Sequence, residues 1–260
     1  MKRLTVRSGS IILVFIGLTV LLIFTVYRFM PSNPLEDSEQ LVLVLAGTQN
    51  SRKAVLQLFT HEGESWRFSF SCPVVIGKNG MAWGRGLHRE KDREEGEPVK
   101  HEGDGTSPEG VFPLIHAYGY PPPSMVRIKF PYTQATPDLI CCDDPETSYY
   151  TKIINIRDKD LNPNALPSHE KMLRADDLYK YTILIGHNTW YPRKDAGSCI
   201  FIHIWSGMHS YTAGCTAMSE ENILRLLSEL DPDKNPIFVM LSRKNYLRLK
   251  HVWGLPDVTI

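Results

Sequence analysis

Between Arg7 and Arg28 run twenty residues without a charge, mostly Ile, Leu, Val and Phe. At a helical rise of about 1.5 Å each they would cross roughly 30 Å of hydrocarbon, so the chain divides into a membrane segment and a body that must fold without it. A buried core helix seldom runs this long without a polar face. A cleaved signal peptide needs small residues before the cut, and the first Ala of the chain is Ala46. No Cys precedes Cys72, which removes a lipoprotein cut. Lys2, Arg3 and Arg7 stand before the span and Arg28 after it, followed by Glu36, Asp37 and Glu39. That bias favours the N-terminus in the cytoplasm and the body outside. The expectation is a bacterial signal anchor over residues 1–30, a Pro-rich tether over 31–40, a body over 41–250 and a tail over 251–260. The protein would sit in the inner membrane of the cell envelope, single-pass, with its body periplasmic.

The formal charge is zero, from 29 Lys and Arg against 29 Asp and Glu. Four of the bases lie in the anchor, so the rest of the chain carries 25 against 29. A mildly acidic body gives no footing for nucleic-acid binding. With 42% hydrophobic residues the chain can build a proper core, which excludes a disordered chain. Five cysteines, Cys72, Cys141, Cys142, Cys199 and Cys215, are an odd number in a compartment where disulfides form. At least one is expected to be unpaired, and the adjacent Cys141 and Cys142 are poor partners for each other.

Short runs of alternating or continuous apolar residues point to a mainly β body with a few helices. Leu41–Leu45, Ala54–Phe59, Trp66–Phe70, Tyr181–His187, Cys199–Trp205 and Pro236–Leu241 read as strands. Ser219–Leu230 reads as a helix, with Ser219 as cap and Ile223, Leu226, Leu227 and Leu230 on one face. Ser168–Lys180 is a second helix candidate, capped by Ser168. The charge run Arg89–Glu95 is expected to be a solvated loop.

In Cys199-Ile-Phe-Ile-His-Ile-Trp205 the period of two sets Ile200, Ile202 and Ile204 on a core face and Cys199, Phe201, His203 and Trp205 on the other. Thr212-Ala-Gly-Cys215 follows, just before the Ser219 helix. A thiol there would feel the helix dipole and a nearby imidazole could take its proton, while Gly214 would let backbone N–H groups approach an oxyanion. The combination suits a Cys/His nucleophile, with Cys215 attacking a carbonyl and His203 as base and then acid. The bland reading of such a pair is packing. His187, Cys199, His203 and Cys215 could alternatively form a closed zinc site, which would consume the nucleophile.

Upstream, Lys100-His-Glu-Gly-Asp-Gly-Thr-Ser-Pro-Glu-Gly-Val-Phe112 resembles the signature of the L,D-transpeptidase (YkuD-type) catalytic domain. Gly77–His88, Asp143–Pro145, Asp176–Tyr179, His187-Asn188, Gly197–Gly207 and Thr212–Met218 look like one branch of that family, over about residues 74–241. The resemblance implies a β-sandwich-like fold and enzymes that join peptidoglycan stem peptides through an acyl-cysteine. It puts Cys215 in the nucleophile's place and His203 in the base's, and requires no metal or organic cofactor. Hydrolysis of the same substrates, as a carboxypeptidase or amidase, and a non-catalytic wall-binding module are the alternatives.

Departures from the family's commoner pattern matter for substrate binding. Ala213 stands where a His is usual, Ala217 where an Arg is usual, and Ile204 where a Gly usually follows the His. The missing Arg is the obvious partner for a substrate carboxylate. His187, Thr212, Trp205 and Arg193 are the substrate-binding candidates in its absence, with Lys194 beside Arg193 and with Trp83 and Trp190 as further groove walls. The Gly103-Asp-Gly105 turn is neither a phosphate loop, since no Gly-Lys-Ser/Thr follows, nor an EF-hand loop. It reads as a tight turn with positive φ at its glycines.

Overall fold

The computed structural model describes residues 33–63, 65–161 and 166–258. The anchor expected over residues 1–30 lies outside them, and among the described residues no helix is long and apolar enough to cross a membrane. The described chain is mainly β. Its strands are β1 (Gln40–Ala46), β2 (Lys53–Glu62), β3 (Ser65–Val75), β4 (Met81–Trp83), β5 (Ser107–Gly119), β6 (Tyr132–Gln134) and β7 (Leu139–Cys141). They continue with β8 (Ile153–Asn155), β9 (Glu170–Lys171), β10 (Tyr181–Ile185), β11 (Phe201–Ile204), β12 (Thr216–Met218) and β13 (Ile237–Ser242). Two α-helices, α1 (Glu220–Glu229) and α2 (Arg243–Leu249), complete the regular elements.

The continuous apolar run of β1 is the pattern of a strand covered on both faces, and every residue of β1 is buried. It pairs in parallel with β13, which is buried throughout as well. Val42 and Val44 face a core shared with Leu56, Leu58, Phe112, Ile202 and Met240. Helix α1 covers that core with Ile223, Leu226 and Leu227, and Ser219 caps it by accepting the Asn222 N–H at 3.3 Å. Each of these aliphatic side chains contributes about 2 kcal/mol by leaving water. Leu41, Leu43 and Leu45 face the opposite side, against Tyr246 and Leu249 of α2 and against Trp253 and Leu255. The packing therefore runs past residue 250.

The main sheet takes the order β10-β11-β12-β3-β2-β1-β13-β5-β4, with β6 beside β5. The long β5 pairs with β13 over Gly110–Pro113 and with β10 over Leu114–Gly119, so β10, at one end of this order, returns to β5 and closes the sheet on itself. Gly110, at φ 136°, makes that strand possible: a Cβ there would sit 2.1 Å from the His88 ring. The His88 ring is a packing element, accepting the Val111 N–H at 2.9 Å and donating to the Gly84 carbonyl at 3.0 Å.

Two expectations from the sequence are corrected. The run Arg89–Glu95 is solvated only in part: Glu90, Lys91 and Glu95 are exposed, but Asp92 is buried, Arg89 pairs with it, and Glu94 pairs with Lys244 and Arg248 of α2. Ser168–Lys180 is not a helix. Glu170 and Lys171 form β9 and pair with Cys141 and Ile140 of β7, in a small sheet of order β8-β7-β9. Beyond it Asp176 accepts the Leu178 N–H at 3.1 Å, a local turn that competes with helix.

Candidate active site

Strands β11 and β12 run parallel, with Ile202 opposite Thr216 and His203 opposite Ala217. Ile200, Ile202 and Ile204 enter the main core as their alternation predicts. The other face is also buried, because the small sheet and the segment after it cover it. Cys141, Tyr179, Leu184, Cys199, Phe201 and Cys215 form one apolar cluster there. The register places Cys215 beside Phe201, whose N–H donates to Sγ at 3.4 Å, and Sγ in turn donates to the Cys199 carbonyl at 3.6 Å.

The turn before Cys215 is fixed by hydroxyls. Thr212 Oγ1 donates to the Cys215 carbonyl at 2.6 Å and accepts the Gly214 N–H at 3.2 Å, and Ser107 Oγ donates to the same carbonyl at 3.0 Å. The Gly214 N–H is thus occupied in holding the turn. Gly214 itself, at φ 154°, has its open side against the Thr106 carbonyl and Lys100. Those two residues belong to the Gly-Asp-Gly motif, whose glycines do take positive φ, 71° at Gly103 and 70° at Gly105. Asp104 organises that turn. It accepts N–H groups from His101 and Thr106, the Thr106 hydroxyl, and the Lys100 ammonium at 2.9 Å. Burial opposes its charge, but Lys100 and these hydrogen bonds hold its carboxyl below the usual carboxylate range.

Burial pushes the Cys215 thiol up to about 12, and the Glu170 charge adds to the rise; the Phe201 N–H, Lys100 and Tyr179 oppose it. Burial pulls His203 down to about 4 against its hydrogen bond to the Ile204 carbonyl. The resting pair is a neutral thiol and a neutral imidazole. His203 donates Nδ1–H to the Ile204 carbonyl at 2.7 Å, so the proton sits on Nδ1 and Nε2 remains a base. Among the described residues the hydrogen bonds of the Cys215 sulfur go to Phe201 and Cys199, not to this imidazole. The helix dipole expected at the thiol is displaced: β12 intervenes, and three strand residues put the α1 N-terminus on the order of 10 Å away.

The other candidates fall in different places. His187 is buried, accepts the Arg85 N–H on Nδ1 at 3.2 Å and donates Nε2–H to the Ala196 carbonyl at 2.8 Å. Trp205, partly buried, follows β11 directly, and its N–H donates to the Met218 carbonyl at 2.8 Å. Arg193 is exposed and Lys194 pairs with Glu146. Trp83 is wholly buried against Trp253, whereas Trp190 is exposed. A cavity of about 520 Å³ lies elsewhere, lined by Leu35, Ser38, His61 and Trp66 among others.

Cys199 is bonded to Cys141 in a disulfide, with Cα atoms 6.0 Å apart. This overturns the Cys2His2 zinc reading, because a disulfide sulfur is not a thiolate ligand. Cys72, Cys142 and Cys215 are free thiols. The bridge ties the small sheet to the start of β11, and Cys199 takes φ 51° there, so the strand begins only at Phe201. Sequence reading missed this pairing, since five cysteines do not specify which two meet. It also missed Tyr179, which shares the cysteine's cluster, and Glu170, which accepts the Tyr179 hydroxyl at 2.6 Å. The Asp176–Tyr179 motif was the available signal for the first.

A model of the L,D-transpeptidase catalytic domain, YkuD, matches residues 49–239. No curated protein sequence matches the chain. Among solved structures it is similar to the helical cell shape determining protein Pgp2 from Campylobacter jejuni, at 14% identity and a TM-score of 0.38, over 84% of this chain and 56% of that one. It is similar also to Bd1075 of Bdellovibrio bacteriovorus, at 15% identity and a TM-score of 0.36, over 82% of this chain and 55% of that one. The chain spans just over half the length of these two.

Proposed function

The chain belongs to the L,D-transpeptidase (YkuD) catalytic-domain family, and on that premise we propose that it is a membrane-anchored cysteine acyltransferase acting on peptidoglycan stem peptides. The observation that carries the reading is the free Cys215 sulfur, held by a built turn within the cluster that also contains Tyr179, whose ring packs at a tilt against the half-satisfied His203. As Cys215 attacks a stem-peptide carbonyl, His203 Nε2 takes the thiol proton; the amine leaves with that proton as the thioester forms; an acceptor amine, giving its proton to His203, then releases the acyl group, and the proton returns to the thiol. Both groups rest neutral, so the thiol proton must move as substrate binds. Ala217, in the place of the Arg of the commoner family pattern, is buried in β12 opposite His203 and Val75. Arg193, Thr212 and Trp205 remain the proposed substrate contacts, and His187, with both ring nitrogens bonded inside the protein, is proposed as a packing residue.

The proposed location is the periplasmic face of the inner membrane, with residues 1–30 as an N-in anchor. The twenty uncharged residues and the basic residues before them support it. So does the Cys141–Cys199 bridge, since structural disulfides persist in oxidising compartments. A non-catalytic wall-binding module is the second reading, favoured by the burial of Cys215 and by Ala217 in the place of the Arg. The full-length protein in detergent is incubated with a carbapenem and analysed by intact mass. A covalent adduct on the wild type that is lost in Cys215→Ala is expected; no adduct, with sacculi still bound, would establish the module instead. Chromatography of stem-peptide products with and without an added amine then separates transfer from hydrolysis.

A further inference from the structure

Against the turn that carries Cys215 the fold gathers three bases from separate segments. Arg52 precedes β2 and Lys53 opens it, Lys78 lies in the loop after β3, and the loop after β11 brings His209 and Tyr211 to them. Backbone bonds draw these segments together. The Arg52 carbonyl accepts the Ile76 N–H at 3.0 Å, the Ile76 carbonyl accepts the Thr212 N–H at 3.0 Å, and the Thr212 carbonyl accepts the Lys78 N–H at 2.9 Å. Side chains close the group: the Arg52 guanidinium stands 5.8 Å from the centre of the Tyr211 ring, and Lys53 Nζ donates to His209 Nδ1 at 3.3 Å. Thr212, at the hub, also holds the Cys215 carbonyl through its hydroxyl at 2.6 Å.

The group is distinguished by its lack of internal acid partners. Arg67, Lys129, Arg157 and Lys244, exposed elsewhere on the body, each pair with a carboxylate. Arg52, Lys53 and Lys78 are exposed too and pair with none among the described residues, although the chain after the anchor carries 29 acids against 25 bases. Asp104, the acid of the neighbouring Gly-Asp-Gly turn, is already engaged by Lys100, His101 and Thr106. Tyr211 and Ala213 are exposed on either side of the buried Thr212, so the surface runs up to the Cys215 turn. Three fixed charges of one sign beside an open aromatic face suit an anionic ligand that also has flat apolar faces.

We propose that Arg52, Lys53, Lys78 and Tyr211 form a binding subsite for a peptidoglycan strand, in which the bases take free stem-peptide carboxylates and the Tyr211 face takes a sugar ring. This rests on the proposed wall substrate, and it supplies from the β1–β2 turn and the loop after β3 the positive charge that Ala217 does not carry. Two of the three bases are lysines, point charges on flexible stems, which suit several carboxylates spaced along a polymer better than one carboxylate gripped at a fixed angle. The subsite holds the strand while a stem-peptide carbonyl reaches Cys215.

The test is sedimentation of the full-length protein in detergent with purified sacculi, the unbound fraction giving an apparent Kd. Arg52→Gln/Lys53→Gln/Lys78→Gln keeps much of each side-chain stem and removes the charges. Its apparent Kd should rise at least about tenfold near about 50 mM salt and less near about 300 mM, because salt screens exposed charges. Tyr211→Ala should weaken binding about threefold at both salts, and binding equal to wild type would remove the sugar contact. A second arm needs no variant: sacculi whose carboxylates have been converted to amides should bind the wild type as weakly as untreated sacculi bind the triple variant. A triple variant that binds like wild type, or amidated sacculi that bind undiminished, would overturn the subsite. So would equal retention on heparin, a polyanion without stem peptides, that is lost in the triple variant, since the surface would then take any polyanion. If the variant loses sacculi while the wild type forms no carbapenem adduct, the acyltransferase reading fails and the subsite stands; if the adduct forms while the variant binds like wild type, the subsite fails alone.

Discussion

His203 stands on β11 and His187 two residues past the end of the neighbouring β10, both rings buried and both pulled far below the usual imidazole range by that burial, to about 4 and about 3. Their surroundings differ by one hydrogen bond. Around His187 every polar atom has a partner, with Arg85 N–H on one ring nitrogen and the Ala196 carbonyl on the other. Around His203 only Nδ1 is engaged, and the ring lies against Tyr179 at the edge of the cysteine cluster. Equal burial thus produces a packing element in one region and an available base in the other. What separates them is hydrogen-bond completeness.

The largest expected effect would break this contrast most directly. His203→Ala should lower kcat for stem-peptide acyl transfer by about 100- to 10,000-fold with little change in Tm. His187→Ala should leave kcat per folded molecule within a few fold. Product chromatography at matched folded concentrations checks both, and an equal kcat loss in the two variants would remove the distinction.

Next in size is the disulfide, which holds the cover over the His203 region. Its closure spans 58 residues, so reduction, or Cys141→Ser, should cost roughly 4 kcal/mol of stability. Urea unfolding with and without reductant measures it; an unchanged midpoint would show that the cover holds without the bridge. His187→Ala should then cost ~3 kcal/mol in the same assay, since it leaves the Arg85 N–H and the Ala196 carbonyl unpaired in a packed site against Phe112.

The smallest effect, taken per pH unit, is on acid stability. Each imidazole is lower in the folded than in the unfolded state, so between the two values the unfolded chain binds more protons and stability falls as pH falls. Above about pH 6.5 the contribution is complete. It is lost at about 1.4 kcal/mol per pH unit for each ring, down to about 4 for His203 and about 3 for His187. The urea midpoint of His187→Ala should therefore depend less on pH than that of wild type between about 6.5 and 3. Superimposable slopes would mean that His187 titrates normally.

Where local pattern settles a structure, the sequence was legible. The Leu41–Leu45 run, the isoleucine face of β11, the Ser219 cap and the positive φ of Gly103 and Gly105 follow from periodicity and turn chemistry, and all are present in the fold. The cover over Cys215 was not legible. Glu170 reads as part of a capped helix until β7 offers it a strand partner, and Glu94 reads as solvated with the rest of Arg89–Glu95 until α2 offers it Lys244 and Arg248. Cys215 looked helix-adjacent because three residues are too few to declare a strand, yet β12 lies between.

By itself the sequence determined a β-rich body of one family, an aliphatic stripe under β11, and which thiol and imidazole are candidates for chemistry, because these depend on residue type and spacing along one segment. The tertiary structure decided which cysteines bond, which histidine keeps a free nitrogen, and which residues cover the thiol. Those outcomes depend on partners far apart in the chain, and burial fixes charge and proton position only once the partners have met.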